Sequence, residues 1–89
     1  MIKVHHLSGD QYEITVDGAT RTVHRVTLRE TDRVRLGSEK ISANELIEES
    51  FRFLFEREPN TSILPSFDLP VISRYFPEYE NAIHKRLNS

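Results

Sequence analysis

The chain has 89 residues, enough for one hydrophobic core and too few for two, and its 37% hydrophobic and 29% charged residues are values of a folded domain, not of a disordered tail. Cysteine is absent, which excludes disulfides, thiolate nucleophiles and thiolate metal sites and fits a reducing compartment. A net charge of −2 gives no general attraction to nucleic acid, but the balance is uneven: residues 1–42 hold seven Lys/Arg against six Asp/Glu, and 43–89 hold five against eight.

The opening Met1-Ile2-Lys3-Val4-His5-His6 lacks the apolar run of a signal peptide, and no stretch nears the roughly 20 apolar residues of a membrane span. A cytoplasmic protein without a membrane role is therefore expected, and the sequon-like Asn60-Thr61-Ser62 reads as a turn. Ile2–Leu7 is a predicted strand and Ser8-Gly9-Asp10 a turn, after which Tyr12, Ile14 and Val16 alternate with Glu13, Thr15 and Asp17 as in a half-buried strand. Asp17-Gly18 carries the signal of a two-residue type I′ hairpin turn, with the next strand from about Thr20 to Leu28. Glu30-Thr31-Asp32 breaks the pattern, Val34 and Leu36 resume it, and Gly37-Ser38-Glu39 turns the chain toward Ile41. These signals predict an antiparallel meander of three to four strands over residues 1–42.

Ser42 with Glu45 forms a capping-box pattern that starts a helix from about Ala43 to Arg57. Ala43, Leu46, Ile47, Ser50, Phe51 and Leu54 share one face of it, and Phe53 and Phe55 at the margins widen the apolar arc to roughly 200° where roughly 100° marks an ordinary surface helix. Either the downstream helices or a second subunit or partner must cover those margins. Pro59 ends the helix, and Asn60–Pro65 forms a connector. Asp68 reads as an N-cap between the staple residues Phe67 and Ile72, opening a short helix over 69–76; Pro77 suits the first turn of another, with Tyr79, Ala82, Ile83, Arg86 and Leu87 on one face. The expectation is a single α+β domain over 1–89, a β-rich half at 1–42 packed against one long and two short helices at 43–89.

No nucleophile elbow, phosphate-cradling glycine loop or His-Glu-x-x-His is present, so no catalytic residue, cofactor or small-molecule ligand is indicated and a non-enzymatic role is expected. His5 and His6 point to opposite faces of a strand, and Glu80 with His84 supplies two ligands where zinc needs three or four. A minor site around His24 or His84 is the remaining enzymatic or metal reading. Arg21, Arg25 and Arg29 fall on one side of an uninterrupted strand, and Arg33 and Arg35 extend the stripe onto its neighbour. Such a stripe either grips phosphates as a nucleic-acid-binding face or pairs with Glu13, Asp17, Glu30 and Asp32; the strand offers no aromatic for base stacking. Arg57 sits at the helix end, either favouring the negative terminus or pairing with Asp68 or Glu58.

Tyr75, Phe76 and Tyr79 cluster about Pro77, and with Phe53 and Phe55 they are the candidate anchors for a protein partner. The run Ser50-Phe51-Arg52-Phe53-Leu54, the stretch Glu58–Leu64, Phe67-Asp68-Leu69-Pro70 and Tyr75-Phe76-Pro77-Glu78-Tyr79 together resemble a family of small stand-alone bacterial proteins of no assigned function. The resemblance covers the C-terminal half and implies a bacterial source and no activity. The expectation is an interaction module that self-associates through its helical half, with a nucleic-acid-binding module as the alternative.

Overall fold

Side-chain alternation along the first strands decides which way the sheet faces. In the computed structural model, which describes residues 1–88, β1 (Ile2–Ser8), β2 (Gln11–Val16) and β3 (Thr22–Thr27) form an antiparallel meander. Ile14, Val16, His24 and Val26 are buried on one face, while Lys3, His5, Val23 and Arg25 stand exposed on the other. The long helix over residues 43–55 packs on that buried face and the other helices build outward from it, because an apolar sheet face must be covered and the polar one need not be.

Gly9 and Asp10 join β1 to β2, and Gly9 has φ 52°, the left-handed geometry that a side chain resists. The β2–β3 connection is wider than the expected Asp17-Gly18 type I′ turn: five residues, 17–21, separate the paired Val16 and Thr22, and Gly18 has no positive φ. Tertiary contacts hold this loop open. Arg21 Nε donates to Asp17 at 2.6 Å, and Asn60 Nδ2 reaches in from the connector to donate to the Thr20 carbonyl at 2.9 Å.

The expected strand through Val34 and Leu36 is instead a helix, α1 (Glu30–Leu36). Its acidic residues Glu30 and Asp32 sit in the first turn and Arg33 and Arg35 in the last, as the helix dipole favours, and each pair closes an i,i+3 bridge. Two apolar residues spaced by two carry little information about period; only Leu36 is buried. The fourth strand comes from the helical half: β4 (Ser66–Asp68) pairs parallel with β3, Val26 opposite Phe67. Parallel neighbours require a crossover, which α1 and α2 (Ala43–Phe55) provide, so the sheet is mixed with order β1-β2-β3-β4.

The capping box forms: Glu45 N–H donates to Ser42 Oγ at 3.1 Å and Ser42 N–H to Glu45 Oε1 at 3.4 Å. The α2 helix stops at Phe55, short of Arg57. Asp68 is the end of a strand and its side chain caps nothing; it takes Arg29 Nη1 at 3.3 Å. The helix expected over 69–76 is a 3-10 turn at Leu69–Val71 followed by the one-turn α3 (Ile72–Tyr75), since Phe76, before Pro77, is held extended at φ −132°, ψ 90°. Chain order closes with α4 (Tyr79–Asn88), which packs on α2.

Candidate functional site

The five expected anchor residues are not one surface. Phe53 and Tyr79 are fully buried and belong to the core, a correction to their assignment as partner contacts. Phe53 lies edge-on to Phe76 (centroids 6.0 Å) and Tyr79 (5.3 Å), and the Arg57 guanidinium sits 3.5 Å above its ring. Arg57 also donates to the Phe53 carbonyl and to Glu78, and Glu56 bridges Arg57 to Arg86. The α4 helix and this arginine lattice therefore cover the Phe53 margin within the chain. The other margin is half covered, Phe55 leaning edge-on against Phe51 at 6.3 Å. Tyr79 is tied down as well, its hydroxyl 2.6 Å from Ser50 Oγ, and burial pushes its phenol well above the ordinary value. Phe76 is half-buried and Tyr75 is 65% exposed.

Tyr75 stands instead on the rim of a groove of about 270 Å³. One wall is the end of α2 with Leu54 and the residue Glu58 beyond it; the second is the connector, with Ser62, Ile63 and Leu64; the floor and far wall are Phe67 of β4, Val71, and Ile72 and Phe76 around α3. Leu64 is 43% exposed, and it and Tyr75 are the large exposed apolar side chains of the helical half. Glu58 is the one charged residue of the lining and, among the described residues, has no basic group within 4 Å. With an open apolar hollow, one carboxylate and the Ser62 hydroxyl, the groove is suited to taking an apolar group that carries a neighbouring cation.

The connector wall is fixed to the sheet from beneath. Buried His24 on β3 lies 2.8 Å by Nδ1 from the Leu64 carbonyl, and since a carbonyl only accepts, Nδ1 carries the hydrogen. Its Nε2 lies 2.9 Å from Thr22 Oγ1, which also accepts from Asn60 Nδ2 at 2.9 Å. With both ring nitrogens engaged, His24 holds the groove's edge in place and presents neither nitrogen to a ligand. His84 is exposed on α4 beside Asn88, and Glu80 pairs with Arg35. Among the described residues no group of three or more His, Asp or Glu side chains is placed to hold a metal ion.

The arginine stripe is dispersed. Arg21 lies in the loop before β3 and pairs with Asp17; Arg25 is the one member within β3, on the outer face opposite Glu13. Arg33 and Arg35 are on α1, not on a neighbouring strand. Arg33 is spent on Glu30 and on the carbonyls of Ser38, Glu39 and Ile41. Arg29 and Arg35 belong to an alternating chain, Asp68–Arg29–Asp32–Arg35–Glu80, that lines a mixed-charge cleft and ties β4, α1 and α4 together.

Reading the sequence missed Glu58, Leu64, Phe67 and Ile72 as site residues because the groove is assembled from four segments, none periodic across it. The signal available was Ile63-Leu64, apolar residues stranded in a proline-bounded connector. Compared with protein-family models, with curated proteins and with solved structures, the chain matches none of them.

Proposed function

We propose that this chain is a small non-enzymatic interaction module, working in the cytoplasm through the groove of its helical half and self-associating there. The observation that carries this reading is the pairing of an unfilled apolar groove with two large exposed apolar side chains, Leu64 and Tyr75, on its own rim. Exposed apolar groups that adjoin a hollow mark a contact surface in a way that scattered ones do not. Filling the groove with a leucine-sized group removes enough apolar area to contribute about 1.5–3 kcal/mol. Four of the five arginines of the basic region already have carboxylates within 4 Å, which leaves a phosphate backbone little free charge to meet and gives a nucleic-acid role less support. No helix among the described residues is long and apolar enough to cross a membrane.

The groove is tested with p-cresol, a tyrosine side chain as a free molecule, titrated into the ¹⁵N-labelled Tyr75→Ala protein. That substitution removes the aromatic group able to fill a neighbour's groove. The expected result is saturable movement of the amide signals of Ile63, Leu64, Phe67 and Ile72, abolished by adding Leu64→Glu. Absent or scattered shifts would refute the reading.

A further inference from the structure

We infer that the groove's occupant is a second copy of this chain, docked about a two-fold axis so that each Tyr75 enters the other copy's groove and each Arg74 meets the other copy's Glu58. This rests on the groove being a docking site, as proposed above, and gives its self-association a geometry and a pair of contacts.

A two-fold contact joins one patch to itself, so the patch must complement itself: each projection needs a hollow, and each charge an opposite charge, on the same face. This patch has both. The projection is Tyr75, 65% exposed, and the hollow is the groove it borders. The charges are equally specific. Seven of the nine arginines have a carboxylate within 4 Å; among the described residues Arg74 and Arg25 have none. Arg25 is on the remote outer face of the sheet, whereas Arg74 immediately precedes Tyr75 on α3.

Arg74 lines the mixed-charge cleft on the other side of α3, close to Asp68 and Glu80 but bridged to neither, so its long exposed side chain keeps the freedom to turn toward an incoming surface. Glu58 is the groove's lone charged group and is likewise unbridged. A foreign segment suited to the groove would need an aromatic or aliphatic anchor beside a cation. Arg74-Tyr75 is such a segment: Tyr75 stands on the groove's rim, and Arg74 turns from the cleft behind α3 to follow it. Arginine suits the task because its planar fork can grip a carboxylate through two hydrogen bonds.

Sedimentation equilibrium from micromolar to about 1 mM protein tests the inference, with cooperative thermal unfolding and native circular dichroism at the lowest concentration confirming that the surface variants fold. The wild type is expected to dimerise. Across a two-fold axis every substitution counts twice, so a tenfold loss per site makes Tyr75→Ala weaken dimerisation by about a hundredfold. Glu58→Arg and Arg74→Glu should each weaken it, and the double exchange E58R/R74E should restore it. A wild type monomeric throughout, or dimers indifferent to Tyr75→Ala or unrestored by the exchange, overturns the second copy as occupant. If p-cresol still fills the groove in that event, the groove takes a different protein; if it does not, the docking reading falls as well.

Discussion

The buried Ser50–Tyr79 contact makes a prediction whose sign depends on which atom donates. Ser50 Oγ lies 2.7 Å from the Leu46 carbonyl and 2.6 Å from Tyr79 Oη, and both side chains are fully buried. A carbonyl can only accept, so the serine hydrogen goes to Leu46 and the tyrosine must donate to serine. The two single deletions are therefore unequal. Tyr79→Phe removes the donor and leaves Ser50 satisfied by Leu46, a loss of one net hydrogen bond, about 0.5–1.5 kcal/mol. Ser50→Ala strands the Tyr79 hydroxyl, which has no other hydrogen-bond partner among the described residues, at about 1–3 kcal/mol. Adding Tyr79→Phe to Ser50→Ala removes the stranded group and should recover stability. Urea unfolding of the four proteins of this cycle checks it, and each kcal/mol should move the thermal midpoint by about 4–8 °C in a domain this small. Equal single effects, or a double variant as unstable as the sum of the singles, would refute the donor assignment.

His24→Ala should cost about 2–4 kcal/mol, since it opens a cavity and leaves the Leu64 carbonyl without its donor; hydrogen exchange should show the Phe67 and Thr27 amides released before those of β1 and β2. Acid should weaken the fold through its bridged carboxylates. Arg86, by a hydrogen bond and then by its charge, holds the Glu56 carboxyl below its ordinary 4.5, as Arg33 does for Glu30. With folded values depressed, the unfolded chain binds protons first, so this stability is complete above about pH 5 and is lost as pH falls through the folded values. Thermal midpoints followed from about pH 5 to 2 should fall less steeply in Glu56→Gln than in the wild type, and identical slopes would count against the Glu56–Arg86 link.

What was legible in the sequence follows from where information is local. The β1–β2–β3 meander and the start of α2 rest on alternation, the Ser8-Gly9-Asp10 turn and a capping box, each complete within a few residues, and each formed. The rest depends on distant partners. Nothing in Ser66-Phe67-Asp68 marks a strand until β3 is beside it, and the Asp17-Gly18 turn gave way because Asn60, remote in sequence, occupies the loop. The excess apolar arc of α2 was real as a pattern, but the width of an arc does not say what covers it. For Phe53 the cover is Arg57 and Arg86, charged residues whose stems and guanidinium faces serve as apolar surface and so escape any count of hydrophobic positions.

The groove itself follows from the prolines. Pro59 bars α2 from continuing, Pro65 and Pro70 fix the flanks of β4, and Pro77 forces Phe76 extended, so that α3 is limited to four residues. A helix of one turn has no ridge long enough to lie across the end of α2, and the apolar sides of Leu54, Phe67 and Ile72 are left facing a hollow where a longer helix would have closed a seam. A domain of this size has a thin stability margin, and leaving such a hollow open forgoes about 1.5–3 kcal/mol that one buried side chain would contribute. The chain does supply a side chain of the right kind, Tyr75, but α3 ends at that residue and Tyr75 remains on the rim, largely in water. Another molecule could complete the packing, and the docking surface proposed above therefore falls at the junction of α2, β4 and α3 and not on the phenylalanine margin that the helix pattern first suggests.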